Sequence, residues 1–263
     1  MIKQVALFQR KPGMDRNAFH SHYEGTHVPL VISEGGRFLA DYRRNYTSPD
    51  RTFSAGHATA APPPAIDVIT EVWFDTPADL DRLAAEFATP VIGKRIADDE
   101  ANFLDRSKMT VFLVEEFKTS AHKLPSIPVS ETLPVKMIAL LRKKKNMQHE
   151  AFKDYYENHH ESLARELFPQ IAGYRRSYVV PGSTYVYPHI KDVPPPPDFD
   201  VMTELWFNSM KDFEEMGQAT GRPEISERLA RDEENLFDRT IMTMFLVDER
   251  VTPGHQLRAA RGS

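Results

Sequence analysis

The sequence predicts an α+β fold: two ferredoxin-like βαββαβ repeats that form one pseudo-dimeric α+β barrel. Three observations predict it. First, one stretch occurs twice: Ala18-Phe19-His20-Ser21-His22-Tyr23-Glu24-Gly25-Thr26-His27 returns as Ala151-Phe152-Lys153-Asp154-Tyr155-Tyr156-Glu157-Asn158-His159-His160. Second, the order strand, helix, strand, strand, helix, strand can be read in each half. Third, a four-stranded sheet with helices on one face leaves its other face bare. Two such sheets in one chain can cover each other, closing an eight-stranded barrel with the helices outside.

The elements follow in order. Residues 4–10 are an apolar run of strand length, broken by Lys11-Pro12-Gly13. Asp15 is placed to cap the helix carrying Phe19 and Tyr23. Phe19, Tyr23 and His27 stand at i, i+4 and i+8, one stripe of an α-helix, as do Phe152, Tyr156 and His160. Pro29 would kink a continuing helix, so His27 is expected near the helix end. Gly35-Gly36 leads to a strand from Phe38 to Thr47, then a Pro/Ala-rich loop containing Pro62-Pro63-Pro64. A third strand spans Ile66 to Asp75. Thr76-Pro77 starts helical sequence that breaks near Pro90 and ends about Asp105, and a strand from Met109 to Phe117 closes the unit.

The second half repeats the plan: a strand from Lys136 to Lys143, helix 147–167, a strand from Gly173 to Val180, a loop with Pro194 to Pro197, a strand from Phe199 to Asn208, helical sequence 209–238 broken near Gly221-Arg222-Pro223, and a strand from Met242 to Glu249. The match extends to side chains. Asp67-Val68-Ile69-Thr70-Glu71-Val72-Trp73-Phe74 answers Asp200-Val201-Met202-Thr203-Glu204-Leu205-Trp206-Phe207, and Asp99, Glu100 and Arg106 answer Asp232, Glu233 and Arg239. This is a gene duplication, with repeats at 1–118 and 135–250, a linker at 119–134 and a tail at 251–263.

Composition narrows the class. Hydrophobic content of 41% and charged content of 27% suit an ordinary globule. A net charge of -5 gives no general attraction to nucleic acid or anionic membrane. The absence of cysteine excludes disulfides, thiolate catalysis and Cys-ligated metal. No apolar run approaches the roughly 18 residues of a membrane span, and the N-terminus has no signal-peptide layout. The expectation is a cytoplasmic protein acting on a small molecule, as a monomeric pseudo-dimer or a homodimer of it.

The strand-helix entry ending in Tyr-Glu-x-x-His, at Tyr23 to His27 and again at Tyr156 to His160, resembles the EthD family of the dimeric α+β barrel superfamily. The resemblance covers both repeats. It implies the barrel fold. It also implies a range of activities, since superfamily relatives include cofactor-free cyclases, isomerases, decarboxylases, monooxygenases and haem-dependent enzymes.

Four residues are the candidate catalytic groups. His27 and His160 carry the side chain whose ordinary pKa lies nearest neutrality; a carbonyl-bonded, core-capping role is the alternative. Glu71 and Glu204 alternate with the more apolar strand positions and so should point into the barrel beside Trp73 and Trp206. A carboxyl there is expected to have a raised pKa, unless it pairs with Arg44 or Arg176. Tyr23, Tyr156, Trp73, Trp206, Arg44, Arg176, Tyr46 and Tyr178 are the candidate substrate-binding residues, with tyrosine hydroxyls at water as the alternative. A metal site from His20, His22 and His27 has poor ligand spacing, so no metal is expected. The run Arg142-Lys143-Lys144-Lys145 reads as a solvated turn, and the proline runs as stiff covers over the barrel.

The copies differ. Tyr155 replaces His22, and Glu161-Ser162 replaces Val28-Pro29; the first long loop carries His57, the second Tyr185, Tyr187 and His189. Three functions follow. The leading expectation is a cofactor-independent acid/base enzyme of lyase or isomerase type (dehydration, decarboxylation, cyclisation or double-bond shift) on a small aromatic or polyketide-like carbonyl compound. The alternatives are a non-catalytic small-molecule binding protein supporting a partner oxygenase, and a haem- or oxygen-dependent oxidoreductase.

Overall fold

A computed structural model describes residues 1–54, 65–120, 135–185 and 196–261. His57, Pro62 to Pro64, Tyr187, His189, Pro194 and most of the expected linker lie outside the described residues. The strands are β1 (Ile2–Phe8), β2 (Asp41–Tyr46), β3 (Thr52–Ser54), β4 (Val68–Phe74), β5 (Thr110–Lys118), β6 (Val135–Lys143), β7 (Gly173–Val179), β8 (Val201–Phe207) and β9 (Phe237–Val251). They hydrogen-bond in the order β2-β4-β1-β5-β7-β8-β6-β9, and β9 pairs back onto β2. Every pairing is antiparallel. Each repeat supplies one four-stranded sheet. The seams β5–β7 and β2–β9 join the two sheets into the expected closed barrel. Strand β3, absent from the sequence reading, is a short addition paired with β9.

Alternation along the strands sorts the residues. Val5, Leu7, Ile69, Ile138, Leu140, Met202, Phe112 and Phe245 point inward and form one apolar cluster inside the barrel. The opposite faces pack under helices. In repeat 1, Phe8, Val68 and Phe74 meet Phe19, Tyr23 and Phe103; in repeat 2, Leu141, Val201 and Phe207 meet Phe152, Tyr156 and Leu236. These helix-facing clusters are built on α1 (Arg16–His22), α2 (Val28–Gly35), α3 (Pro77–Phe87) and α4 (Pro90–Phe103), and on α5 (His149–Tyr155), α6 (Glu161–Leu167), α7 (Met210–Thr220) and α8 (Pro223–Leu236). Local chemistry fixes their starts. The Asp15 carboxylate accepts from the Asn17 and Ala18 N–H groups. Thr76 and Asp79 form a capping box with Pro77 in the first turn, and Ser209 accepts from the Asp212 N–H.

Two features depart from the sequence reading. His27 and His160 do not end their helices. Tyr23–His27 and Tyr156–His160 are π turns, in which the Val28 N–H reaches the Tyr23 carbonyl and the Glu161 N–H reaches that of Tyr156. The extra residue restarts the helix, so Pro29 falls in the first turn of α2, where its missing N–H removes no helical bond. The expected tail is also structured: it forms α9 (Gly254–Arg261), whose Leu257 is buried in the repeat 1 helix-side core.

Candidate functional site

The inward strand positions at one end of the barrel are charged. Lys3 and Lys136 begin their strands one layer beyond Val5 and Ile138, and Glu71 and Glu204 lie beside them. All four are buried. Lys3 Nζ is 2.5 Å from Glu71 and 2.9 Å from Glu204. Lys136 Nζ is 2.8 Å from Glu204 and 3.2 Å from Glu71. Each lysine therefore touches both glutamates across the pseudo-two-fold axis. Glu116 and Glu249 extend the ring at 3.1 Å from Lys3 and 2.8 Å from Lys136. Trp73 and Trp206 lie against it, with the Lys3 and Lys136 ammoniums 4.6 and 4.7 Å from their ring centroids. Arg175 lies over both indoles.

This overturns the expected acid. Burial works to raise the Glu71 pKa, but Lys136, Lys3 and Arg175 together hold it well below the usual carboxylate range. The partners are the lysines of the first strands, and Arg44 and Arg176 are elsewhere. Those arginines turn to the helix side, where they clamp the glutamates of the Tyr-Glu motif. Arg44 Nε donates to Glu24 at 3.0 Å and Arg176 Nε to Glu157 at 2.9 Å. The Tyr46 and Tyr178 hydroxyls donate to the same carboxylates at 2.6 Å. These hydroxyls are occupied by protein and do not stand at water. The clamps tie the helix bearing each histidine to the second strand of its repeat. The tryptophans are buried as expected, but they pack on the ionic ring and not on the cavity described next.

That cavity, of about 610 Å³, lies in repeat 2 between sheet and helices. Met137, Leu141, Phe168, Ile171, Met216 and Phe237 make it largely apolar. Gly217, Thr220 and Ser226 line it and are exposed, which places its opening between α7 and α8. Its polar lining brings together His160, Tyr156, Tyr174, Thr203, Glu233 and Arg239. The π turn sets His160 over the sheet, against Phe237 and Tyr156. Its Nδ1 lies 2.6 Å from Asp232 Oδ2 on α8. A carboxylate there accepts the Nδ1 proton, which makes Nε2 the basic nitrogen. Glu233, the next residue, is buried, and burial pushes its carboxyl up from 4.5 against the pull of His160 and Arg239. Arg239 Nε stands 3.4 Å from it. The Tyr174 hydroxyl donates to Tyr156 at 3.2 Å, and Tyr156 and Thr203 share a 2.8 Å hydrogen bond. Burial raises Tyr156 to about 12, so both hydroxyls stay protonated near neutrality.

Glu71 and Glu204 cannot serve these histidines. Thr70 and Thr203 face Tyr23 and Tyr156, so the next residue on each strand faces the barrel interior, across the sheet. Asp232 and Glu233 were legible in the sequence only as markers of the repeat. Their spacing from His160 across the chain gave no sign of contact.

Repeat 1 repeats the dyad, with His27 Nδ1 2.7 Å from Asp99 Oδ2. His22 bonds the other oxygen at 2.8 Å, where repeat 2 has the Tyr155 hydroxyl at 3.2 Å from Asp232. Burial would raise Asp99, but the hydrogen bonds of His27 and His22 hold it below its ordinary value. His20 packs on the Tyr46 ring and shares no ligand geometry with His22 and His27. Among the described residues, no group of three or more potential ligands could hold a metal ion. Arg142 and Lys143 of the basic run pair with Asp198 and Asp200, in keeping with a turn. Tyr185 bridges to Val111. No helix among the described residues is long and apolar enough to cross a membrane.

The model of the EthD domain matches residues 11–107 and 144–240. No curated protein matches the chain in sequence. Among solved structures, an anthrone oxidase-like protein has a TM-score of 0.57 at 9% identity, over 95% of this chain and 92% of that one. A protein of Fusobacterium nucleatum subsp. nucleatum assigned as a monooxygenase has a TM-score of 0.52 at 5% identity, over 95% and 93%. At these identities the likeness is one of fold.

Proposed function

The chain belongs to the EthD family, and from that premise we propose that the repeat 2 cavity performs acid/base chemistry on a small aromatic or polyketide-like carbonyl compound. The observation that carries this reading is the His160–Asp232 pair opening on an apolar cavity beside the raised carboxyl of Glu233. His160 Nε2 takes a proton from a carbon whose anion is conjugated with the carbonyl, either next to it or, as in anthrone, across an aryl ring. Asp232 holds the ring and stabilises the imidazolium that forms. Glu233, whose carboxyl burial shifts toward the neutral form, supplies the proton that hydrogen-bonds the oxygen on which enolate charge develops. Returning the proton to another carbon gives a double-bond shift. Expelling a β-hydroxyl, which leaves as water with the proton of Glu233, gives a dehydration. These steps draw on side chains alone. The Tyr174–Tyr156–Thr203 chain is a further donor set for a ligand oxygen. In this reading His160 keeps its expected role, and Tyr156 lines the substrate site. Glu71, Glu204, Trp73, Trp206, Arg44, Arg176, Tyr46 and Tyr178 hold the scaffold.

Anthrone, an enolisable aryl ketone, is a suitable probe. Under nitrogen in deuterium oxide, the protein is expected to speed exchange at its methylene. His160→Asn should slow that exchange by about 10²–10⁴-fold, the usual worth of a positioned base, with the fold intact. Exchange at the wild-type rate in that variant would refute the reading. In air, the same enolate can take up one oxygen molecule to give a hydroperoxide, which loses water to leave anthraquinone; one oxygen atom enters the quinone and the other leaves as water, four electrons in all. Exchange under nitrogen with no quinone in air favours the lyase or isomerase class; rapid quinone formation favours the oxygen-dependent one. Binding without either supports a non-catalytic carrier, and a Soret band in the purified protein supports a haem enzyme.

A further inference from the structure

We propose that repeat 1 retains a second site for the same class of ligand, an apolar aryl ketone or phenol, held closed by the chain's own helix α9. The proposal rests on the reading of the repeat 2 cavity, because it takes that cavity as the open form of one design.

The two repeats share the dyad, the neighbouring glutamate and the tyrosine–threonine pair. His27 meets Asp99 as His160 meets Asp232. Glu100, like Glu233, is buried beside the dyad aspartate. Tyr23 bonds Thr70 at 2.8 Å as Tyr156 bonds Thr203. The difference lies at the apolar end. Thr220 and Gly217 line the repeat 2 opening; Phe87 and Ala84 stand at the matching positions, and Phe87 is buried. Phe168 lines the repeat 2 cavity just past the end of α6. Its counterpart Gly35 lies within α2, so close to α3 that a Cβ on it would be 2.3 Å from Leu83 Cδ1. With no side chain at 35, α3 lies directly against α2.

Helix α9 completes the closure. Leu257, 3% exposed, joins the apolar cluster that contains Tyr23, Leu39, Leu83 and Phe87. Ala260 Cβ lies 3.1 Å from the point a Cβ on Gly36 would occupy, so this glycine lets α9 approach. The segment is anchored just before the helix. The Thr252 N–H donates to the Tyr42 carbonyl, and its hydroxyl accepts from Arg44 at 2.7 Å. Thr119 makes the same two bonds to Tyr174 and Arg176 in repeat 2. The two chain exits thus begin alike, and the exit beside repeat 1 places a leucine in the helix-side core that also holds Tyr23, the ring beside His27.

Isothermal titration with 2-naphthol counts the sites. The intact chain is expected to bind one equivalent. Leu257→Glu, which puts a charge where Leu257 is buried, should bind two. Thr220→Phe, which gives repeat 2 the residue of repeat 1, should bind none, and the double variant should bind one. Leu257→Ala, a milder change, should show the second event at weaker affinity if the glutamate variant fails to fold. A folded Leu257 variant that still binds one equivalent overturns the proposal. An intact chain that binds none while the Leu257 variants bind one would uphold the closed site and refute the reading of repeat 2.

Discussion

Replacing Lys136 by methionine tests the ionic ring inside the barrel. The side chain is 2% exposed, and its ammonium lies 2.8 Å from Glu204 and from Glu249 and 3.2 Å from Glu71, and donates to Asn45 Oδ1 at 2.8 Å. Methionine matches the stem but removes the charge. Glu71 and Glu204 then share Lys3, with Arg175 at 3.9 and 3.5 Å, and Glu249 keeps Arg43 at 3.5 Å. Breaking a buried pair on one side typically costs about 3–5 kcal/mol, because the partner charge stays buried. For a chain of this size each kcal/mol lowers Tm by about 2–4 °C, so the expected drop is about 6–20 °C. The companion variant, Lys136→Met with Glu204→Gln, removes one charge of each sign and should recover about 1 kcal/mol or more relative to additivity. Urea unfolding near neutral pH reads both, with an unchanged m-value showing that the fold is kept. A loss below about 1 kcal/mol for the single variant, or a strictly additive double, would mean that the ring does not hold the barrel as a coupled unit.

Two further outcomes follow from the titrating groups. Glu71, Glu116 and Glu249 are all held below their ordinary value of 4.5, burial being outweighed mainly by Lys136 and Lys3. Their contribution is fully present above the unfolded carboxyl value and is lost as pH falls through the lower folded values, so Tm should stay level down to about 4.5 and fall steeply below; a Tm that already declines well above that point contradicts it. Glu233 has the opposite sign. Its folded pKa is raised, so the associated stability is present below 4.5 and lost as pH rises through the folded value. Glu233→Gln should therefore keep or raise Tm near neutral pH while slowing anthrone exchange, and a clear fall in Tm would refute the burial argument.

The barrel was legible because duplication and strand alternation are both patterns along the chain. Alternation alone put Glu71 and Trp73 inside and Thr70 under the helices. The partners were not legible. Lys3 meets Glu204 across the pseudo-axis, a contact fixed by how two sheets close and not by any local spacing. The π turn was hidden for a related reason: Phe19, Tyr23 and His27 satisfy the α period, and only Pro29 signalled that the helix resets there. His160 could be named from its motif, but Asp232 reaches it from a helix 72 residues later in the chain. Tail residue Leu257 is a lone apolar position, too little periodicity to announce a docked helix.

The seams β5–β7 and β2–β9 have a consequence for how the protein responds to dilution. In a barrel made of two separate chains, those seams would be intermolecular, and each tenfold dilution would remove about 1.4 kcal/mol from the assembled state. Here both seams close within one polypeptide, so the second sheet is always present at an effective concentration set by the connecting chain. The barrel therefore stays assembled at any copy number. Neither half has to match a symmetry mate residue for residue, so one repeat can keep its cavity open while the other fills its own.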